Sequence, residues 1–376
     1  MDWSYYNPVK VYLLDFAGFV AHLKCLCTGK RLAFIASERS IRQYGLDGAI
    51  AALQAANDVV LITDTPSNPT FESVHSTIGR FTAKPDRIVA IGGGSVIDTA
   101  KAISAMAAYD WPIAIDRLYD GIHTKSYQQL GTGIPILAVP TTAGTGAEMT
   151  MWGTVWDMVH SQKYSVEAPW LYPEDAWVVP ELTVSMSQRL TLSTGLDALS
   201  HAVEAYWSTR SNPVVRALAR DAVSLIAANL RGALDNPESL PHREGMMRGA
   251  LFAGLAFSNT RTTACHGLSY PMTIRWGIEH GFAVAMTLPE VLLLNWPAVA
   301  EGDSLLVAWG LSSPQDARPW LDSLCNGIQT LRLGAFGVSD ADAMPLADAS
   351  LVKERMGNNP VALTAEDIRG ILKRIL

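Results

Sequence analysis

Hydrophobic and polar positions follow two different rhythms along this chain. In the first half, short unbroken apolar runs recur at 31–36, 58–62, 86–91 and 134–140. Runs of that length with no polar alternation predict strands buried on both faces. Between them, 41–57 and 73–83 carry apolar residues at helical spacing. Strands separated by amphipathic helices predict a mostly parallel sheet with helices on both sides. From about residue 183 the rhythm changes. The stretches 197–207, 214–229, 244–258 and 283–294 place apolar residues at i, i+3 and i+4, which predicts long helices with one buried face. The chain closes on another helix after Leu363, where Thr364 and Asp367 have the spacing of a capping box. The expected fold class is therefore α/β plus all-α. A Rossmann-like parallel-sheet domain occupies 1–180, and a helical-bundle domain 181–376, with the break near Pro180.

Composition narrows the function classes. The chain has 376 residues, enough for two domains at about 150 residues each. With 49% hydrophobic and 17% charged residues, wholesale disorder is excluded. A net charge of −7 argues against a general nucleic-acid partner. The apolar run near 102–108 soon meets Asp110, so no membrane span is expected. The start, Met1-Asp2-Trp3-Ser4, has no basic region followed by an apolar one, hence no expected signal peptide. Four cysteines exclude a disulfide scaffold, and Cys25-x-Cys27 reads as ordinary thiols. The expected compartment is a reducing cytoplasm.

Two loops carry phosphate-type chemistry. Gly92-Gly93-Gly94-Ser95 follows the third strand and opens a helix through Asp98 and Lys101. Glycines there allow close backbone approach, and the N–H groups of a helix start favour an anion such as a dinucleotide pyrophosphate. The G-x-G-x-x-G fingerprint is absent. Pro140-Thr141-Thr142-Ala143-Gly144-Thr145-Gly146-Ala147-Glu148 follows the fourth strand and places hydroxyls and glycines where α/β sheets bind ligands.

The helical half carries metal-type chemistry. Asp197 and His201 stand at i and i+4, on one helix face. His266 and His280 are among only eight histidines and lie in apolar surroundings. One carboxylate and three imidazoles suit Fe(II) or Zn(II), and are too nitrogen-rich for calcium or magnesium.

Taken together, these residues resemble the iron-dependent (group III) alcohol dehydrogenase family, in order and in spacing, over essentially the whole chain. The resemblance implies the fold shared with dehydroquinate synthase, with the cofactor between an N-terminal nucleotide domain and a C-terminal metal domain. It implies Asp197, His201, His266 and His280 as metal ligands. Gly92, Gly93, Gly94, Ser95, Asp98, Thr141, Thr142 and Thr145 become the cofactor-binding set. NAD(H) or NADP(H) is the implied cofactor, and a homodimer the implied assembly. Two positions depart from the family: Tyr270 replaces a second histidine four residues after His266, and Val179-Pro180 replaces Asp-Pro. Tyr270 is then the candidate proton relay. Glu38, where NAD-using relatives have an aspartate, favours NAD(H) by bonding ribose hydroxyls, with Arg39 and Arg42 as counterweights.

Arg261 and Arg275 flank the proposed ligands, and arginine's planar fork suits a phosphonate or carboxylate. The segment Cys265–Pro271 resembles the branch of the family that reduces phosphonoacetaldehyde to 2-hydroxyethylphosphonate. The expected reaction is metal-dependent, NAD(P)H-linked reduction of that small anionic aldehyde to its alcohol. The alternatives are a short-chain alcohol or diol dehydrogenase acting on neutral substrates and, behind it, a dehydroquinate synthase-like lyase.

Overall fold

The computed structural model describes residues 2–160, 162–349 and 356–376. The chain forms two compact units. One comprises Pro8–Thr142 and Ala147–Thr183; the other comprises Met1–Asn7, Ala143–Gly146 and Val184–Leu376. A break at 180 assigns 2–7 and 143–146 to the nucleotide domain and 181–183 to the helical one, whereas the contacts of the first two belong to the helical unit and those of 181–183 to the sheet unit.

In chain order the first unit runs β1 (Lys10–Leu13), α1 (Phe16–Lys24), β2 (Arg31–Ala36), α2 (Glu38–Tyr44), α3 (Asp47–Ala56), β3 (Asp58–Ile62), α4 (Phe71–Ile78), β4 (Arg87–Gly92), α5 (Gly94–Ala105), α6 (Ile115–Thr124), β5 (Ile136–Pro140), β6 (Trp152–Asp157), β7 (Gln162–Glu167) and β8 (Asp175–Val178). Six strands make one parallel sheet in the order β1-β8-β5-β4-β2-β3, and β6 and β7 pair as an antiparallel hairpin. Side chains alternate across the sheet. Leu32, Phe34, Val89, Ile91, Leu137 and Val139 pack with Phe19 and Leu23 of α1, Ile41 of α2 and Leu53 of α3. Ala33, Ile35, Ile88, Ala90, Ile136 and Ala138 pack with Val74 of α4, Ile97 of α5 and Leu118 of α6. Both faces are covered, which explains why β2, β4 and β5 read as continuous apolar runs.

The helix expected over 41–57 is two helices, broken at Gly45 in the left-handed conformation. The strands β1, β6, β7 and β8 lay outside the sequence reading. β1, Lys-Val-Tyr-Leu, is an exposed edge strand whose short apolar stretch, Val11 to Leu14, is parted from the apolar start of α1 by Asp15 alone. Pairing with β8, not local pattern, makes it a strand.

The helical unit contains α7 (Gln188–Trp207), α8 (Pro213–Asp235), α9 (Leu240–Thr260), α10 (Ala264–Trp276), α11 (His280–Asn295), α12 (Gly302–Trp309) and α13 (Ala317–Cys325). Two one-turn helices, Asp340–Ala343 and Leu346–Ala349, and a closing helix, Ala365–Arg374, follow. The capping box expected at Thr364 and Asp367 is formed. α7 is buried along nearly its whole length and forms the centre against which α8, α9 and α11 pack. α10 has no polar face to mark a helical period in the sequence, because Ala264 to Ser269 are all buried. Among the described residues no helix is long and apolar enough to cross a membrane.

Candidate metal centre and nucleotide loops

In the sheet unit, β4 and β5 end side by side, with Gly92 opposite Pro140. The loops that follow touch there: the Thr141 N–H donates to the Gly92 carbonyl at 3.0 Å. Gly93 is the N-cap of α5 and offers no side-chain cap, so the first N–H groups of α5 remain for an anion. Gly93, Gly94, Ser95, Thr141 and Thr142 are all partly exposed at this lip. The Ser95 hydroxyl is engaged within the fold, donating to the Ser67 carbonyl. Glu38 opens α2 at the end of β2, and its exposed carboxylate pairs with Arg42 at 3.0 Å.

Asp98 turns toward the hairpin: its Oδ2 accepts from the Thr154 N–H at 3.0 Å. Burial raises the Asp98 carboxyl, against the pull of Lys101. Lys101 itself is fully buried, and the sequence reading gave it no role of its own. Its ammonium donates to the Ala147 carbonyl (2.6 Å), Thr150 Oγ1 (2.9 Å) and the Trp152 carbonyl (2.7 Å). It therefore ties the segment after the threonine loop to α5. Burial lowers Lys101 to about 8 and raises Glu148 to about 7.

In the helical unit, Ser187 caps α7 by accepting from the Leu190 N–H. Ten residues on, α7 presents Asp197 and His201 on one face. His201 Nδ1 lies 4.0 Å from Asp197 Oδ1, His266 Nε2 from α10 lies 3.4 Å from the same oxygen, and His280 Nε2 from the start of α11 lies 3.8 Å from it. The structure thus brings all four sequence-predicted ligands to one carboxylate oxygen. The ligand atoms of Asp197, His201 and His266 all lie within 4.8 Å of one another. These three residues are buried, whereas the His280 side chain is 36% exposed.

The decisive observation is polar accounting. Asp197 Oδ1, His201 Nδ1 and His266 Nε2 are buried atoms with no hydrogen-bond partner. Buried polar atoms are rarely left so, and here three of them converge. A divalent cation satisfies all three, and imidazole with carboxylate is a donor set for Fe(II) or Zn(II). Burial drives His201 down to about 4, leaving it neutral, the form that ligates. Burial also pulls on His266, but the carboxylates of Glu204 and Asp197 outweigh it and hold the ring at about 9. Burial alone would raise Asp197; the imidazoles of His201, His266 and His280 hold it well below the usual carboxylate range.

Neighbouring contacts set the ring planes. Phe257 of α9 stacks on His201, with centroids 4.1 Å apart. The crossing segment 143–146 packs beside them. Gly146 has φ +57°, and a Cβ there would lie 2.8 Å from Gly254 Cα and 3.0 Å from Phe257 Cε1. Only glycine allows that approach. Gly146 of the threonine loop thus serves the metal side.

Tyr270, one turn after His266, stacks on His280 with centroids 5.6 Å apart. Arg261 is half-buried and adopts φ +60°, ψ −178° at the end of α9, a backbone state costing about 1–3 kcal/mol outside glycine. Arg275 is exposed. It stands nine residues after His266 on α10, about two and a half turns, and so on the opposite side of that helix.

One residue of the centre escaped the sequence reading. Glu204 is fully buried on α7 and accepts from Thr263, Cys265 and His266. Its spacing of i+7 from Asp197 and i+3 from His201 was the available signal.

Comparison with known proteins follows the same division. Residues 17–180 match the family described as iron-containing alcohol dehydrogenase, and residues 191–376 match the Fe-containing alcohol dehydrogenase family, C-terminal. The chain is similar to phosphonoacetaldehyde reductase of Streptomyces viridochromogenes, 34% identical over 335 residues, covering 85% of this chain and 84% of the relative. It is also similar to long-chain-alcohol dehydrogenase 1 of Geobacillus thermodenitrificans, 31% identical over 85% of this chain and 82% of that one. Among solved structures, sulfoacetaldehyde reductase from Bifidobacterium kashiwanohense in complex with NAD+ superposes with a TM-score of 0.87 at 26% identity, covering 100% of this chain and 99% of the other.

Proposed function

The chain belongs to the iron-containing alcohol dehydrogenase family, and on that premise we propose that it reduces a small anionic aldehyde, phosphonoacetaldehyde, to 2-hydroxyethylphosphonate with NAD(P)H. The observation that carries the metal-dependent part is the convergence of three partnerless buried ligand atoms on Asp197, His201 and His266. With His280 they would hold Fe(II) or Zn(II). When bound, such an ion supplies Lewis-acid polarisation of a carbonyl oxygen.

The remaining work falls to the chain's own groups. The N–H groups of Gly94 and Ser95 and the hydroxyls of Thr141, Thr142 and Thr145 receive the cofactor pyrophosphate. Glu38 bonds the ribose hydroxyls, which favours NAD(H). Asp98 stays in the proposed cofactor-binding set, and its bond from the Thr154 N–H also positions the hairpin beside that loop. Tyr270 Oη gives the proton that completes the alcohol: a phenol is a far stronger acid than an alcohol. Arg261, held in a costly backbone state beside the ligand helix, receives the anionic head group.

The reading of phosphonoacetaldehyde is supported by the likeness to a reductase of that aldehyde and to a reductase of sulfoacetaldehyde. A second reading, reduction of neutral short-chain aldehydes, is favoured by the outward position of Arg275, which leaves one arginine where two were expected. The family assignment as an oxidoreductase displaces the lyase alternative. The exposed edge β1, with Val11, Tyr12 and Leu13 uncovered, supports a homodimer, and a reducing cytoplasm suits four unpaired cysteines.

The test is a side-by-side measurement of kcat/KM on phosphonoacetaldehyde, propanal and lactaldehyde, with NADH and NADPH, after loading with Fe(II) or Zn(II). Phosphonoacetaldehyde with NADH should lead. Equal or better turnover of propanal would refute the anionic-substrate reading and leave the neutral one.

A further inference from the structure

We propose that Glu204 is the positioning residue of the metal centre, fixing the His266 tautomer that can ligate. The inference rests on the metal-site reading above and adds a function for a buried carboxylate that reading does not use. Glu204 is fully buried, and its two oxygens do different things. Oε1 accepts from the Thr263 N–H (3.2 Å), the Thr263 hydroxyl (2.7 Å), the Cys265 N–H (2.8 Å) and the His266 N–H (3.4 Å). It thereby caps the first turn of α10, whose own N-cap residue, Thr263, makes no side-chain cap bond. Oε2 accepts from His266 Nδ1.

An ionised carboxylate has no proton to give, so the proton of that contact sits on Nδ1. In the neutral ring the lone pair is then on Nε2. Nε2 is the partnerless atom 3.4 Å from Asp197 Oδ1. The donors around Oε1 leave no freedom to reverse this. Trp207 Nε1 donates to the Thr263 hydroxyl at 2.9 Å, so that hydroxyl spends its own proton on Glu204. Charge agrees with geometry: Asp197 and Glu204 bring two carboxylates into one buried site, which a divalent cation balances once His266 gives up its Nε2 proton.

Glu204→Gln separates positioning from capping. The donors around Oε1 hold the amide oxygen, so the amide NH2 must face His266 Nδ1. That selects the ring with its proton on Nε2, which cannot ligate. The metal-free variant should unfold within a few degrees of the metal-free parent, because the cap survives. Its affinity for Co(II) or Zn(II), measured by titration of the metal-free protein, should fall by about 10–100-fold, with a changed Co(II) visible spectrum. Affinity within about twofold of the parent, with a lowered unfolding midpoint, would show that Glu204 is only a cap and overturn the inference. A parent protein that takes up neither ion would overturn the metal-site reading itself. Should the variant fail to fold, the Zn(II)-loaded parent with 15N-labelled histidine decides: a proton on Nδ1 of His266 is expected, and a proton on Nε2 overturns the proposal.

Discussion

Replacing Gly281 by alanine puts a methyl group into the backbone of α7. A Cβ at that position would stand 1.9 Å from the Ser193 carbonyl oxygen and 2.7 Å from its carbon. Real Cβ contacts are essentially never shorter than 3.0 Å, so α11 must draw back from α7 by at least about 1 Å. A carbonyl cannot rotate away as a side chain does. Ser193 stands four residues before Asp197 on α7, so in a regular helix its carbonyl accepts from the Asp197 N–H. The displacement therefore acts on both partners of one pair, because His280 precedes Gly281 and its Nε2 lies 3.8 Å from Asp197 Oδ1. Metal ligands tolerate errors of about 0.2 Å, several times less than the forced shift. Overpacking of this kind costs about 1–3 kcal/mol, and an unyielding backbone contact places Gly281→Ala at the upper end. For a unit of this size that corresponds to a fall of about 6–12 °C in the unfolding midpoint. The assay pairs thermal unfolding of the metal-free protein with metal content after gel filtration. Expected are a lowered midpoint and loss of bound metal. A variant with the parent's midpoint and full metal content would refute the argument that this glycine sets the α7–α11 spacing.

Three further outcomes are expected. His266→Ala should retain no metal and lose most turnover; full metal content at the parent rate would remove His266 from the ligand set. Glu148, held at about 7 chiefly by burial, keeps its proton in the fold while the unfolded chain gives it up near 4.5. Stability should then fall as pH rises from about 4.5 to 7, by on the order of 3 kcal/mol from this group. Glu148→Gln should flatten that slope in urea unfolding at pH 5 and pH 7.5, and an unchanged slope would discard the assignment. Glu38→Gln removes the carboxylate that repels a 2′-phosphate and frees Arg42 from its ion pair. The ratio of kcat/KM with NADPH to that with NADH should rise severalfold, and a constant ratio would show that Glu38 does not read the ribose.

Local pattern made part of this protein legible in advance. The apolar runs at 31–36, 58–62, 86–91 and 134–140 correspond to β2, β3, β4 and β5, because a strand covered on both faces has no polar position to break the run. The long helical rhythm from 183 onward likewise reappears in α7, α8, α9 and α11. Asp197 and His201 share a face because i and i+4 do so on any helix. These are consequences of backbone periodicity, which acts over a few residues and is written in them.

Other features have no such local mark. β1 becomes a strand only by pairing with β8, far along the chain. Segment 143–146 looks like one nucleotide loop, yet Gly146 lets it pack against α9 beside His201. Arg261 and Arg275 look equivalent in the chain, but the turn of α10 carries Arg275 to its outer side. Glu204 reads as an ordinary helix residue until α10 delivers Thr263, Cys265 and His266 to it. Residue types and short spacings determined which donor atoms were available. Packing of distant helices decided which of them lost water, met at one oxygen and were left without a partner, because burial and convergence are properties of the folded chain as a whole.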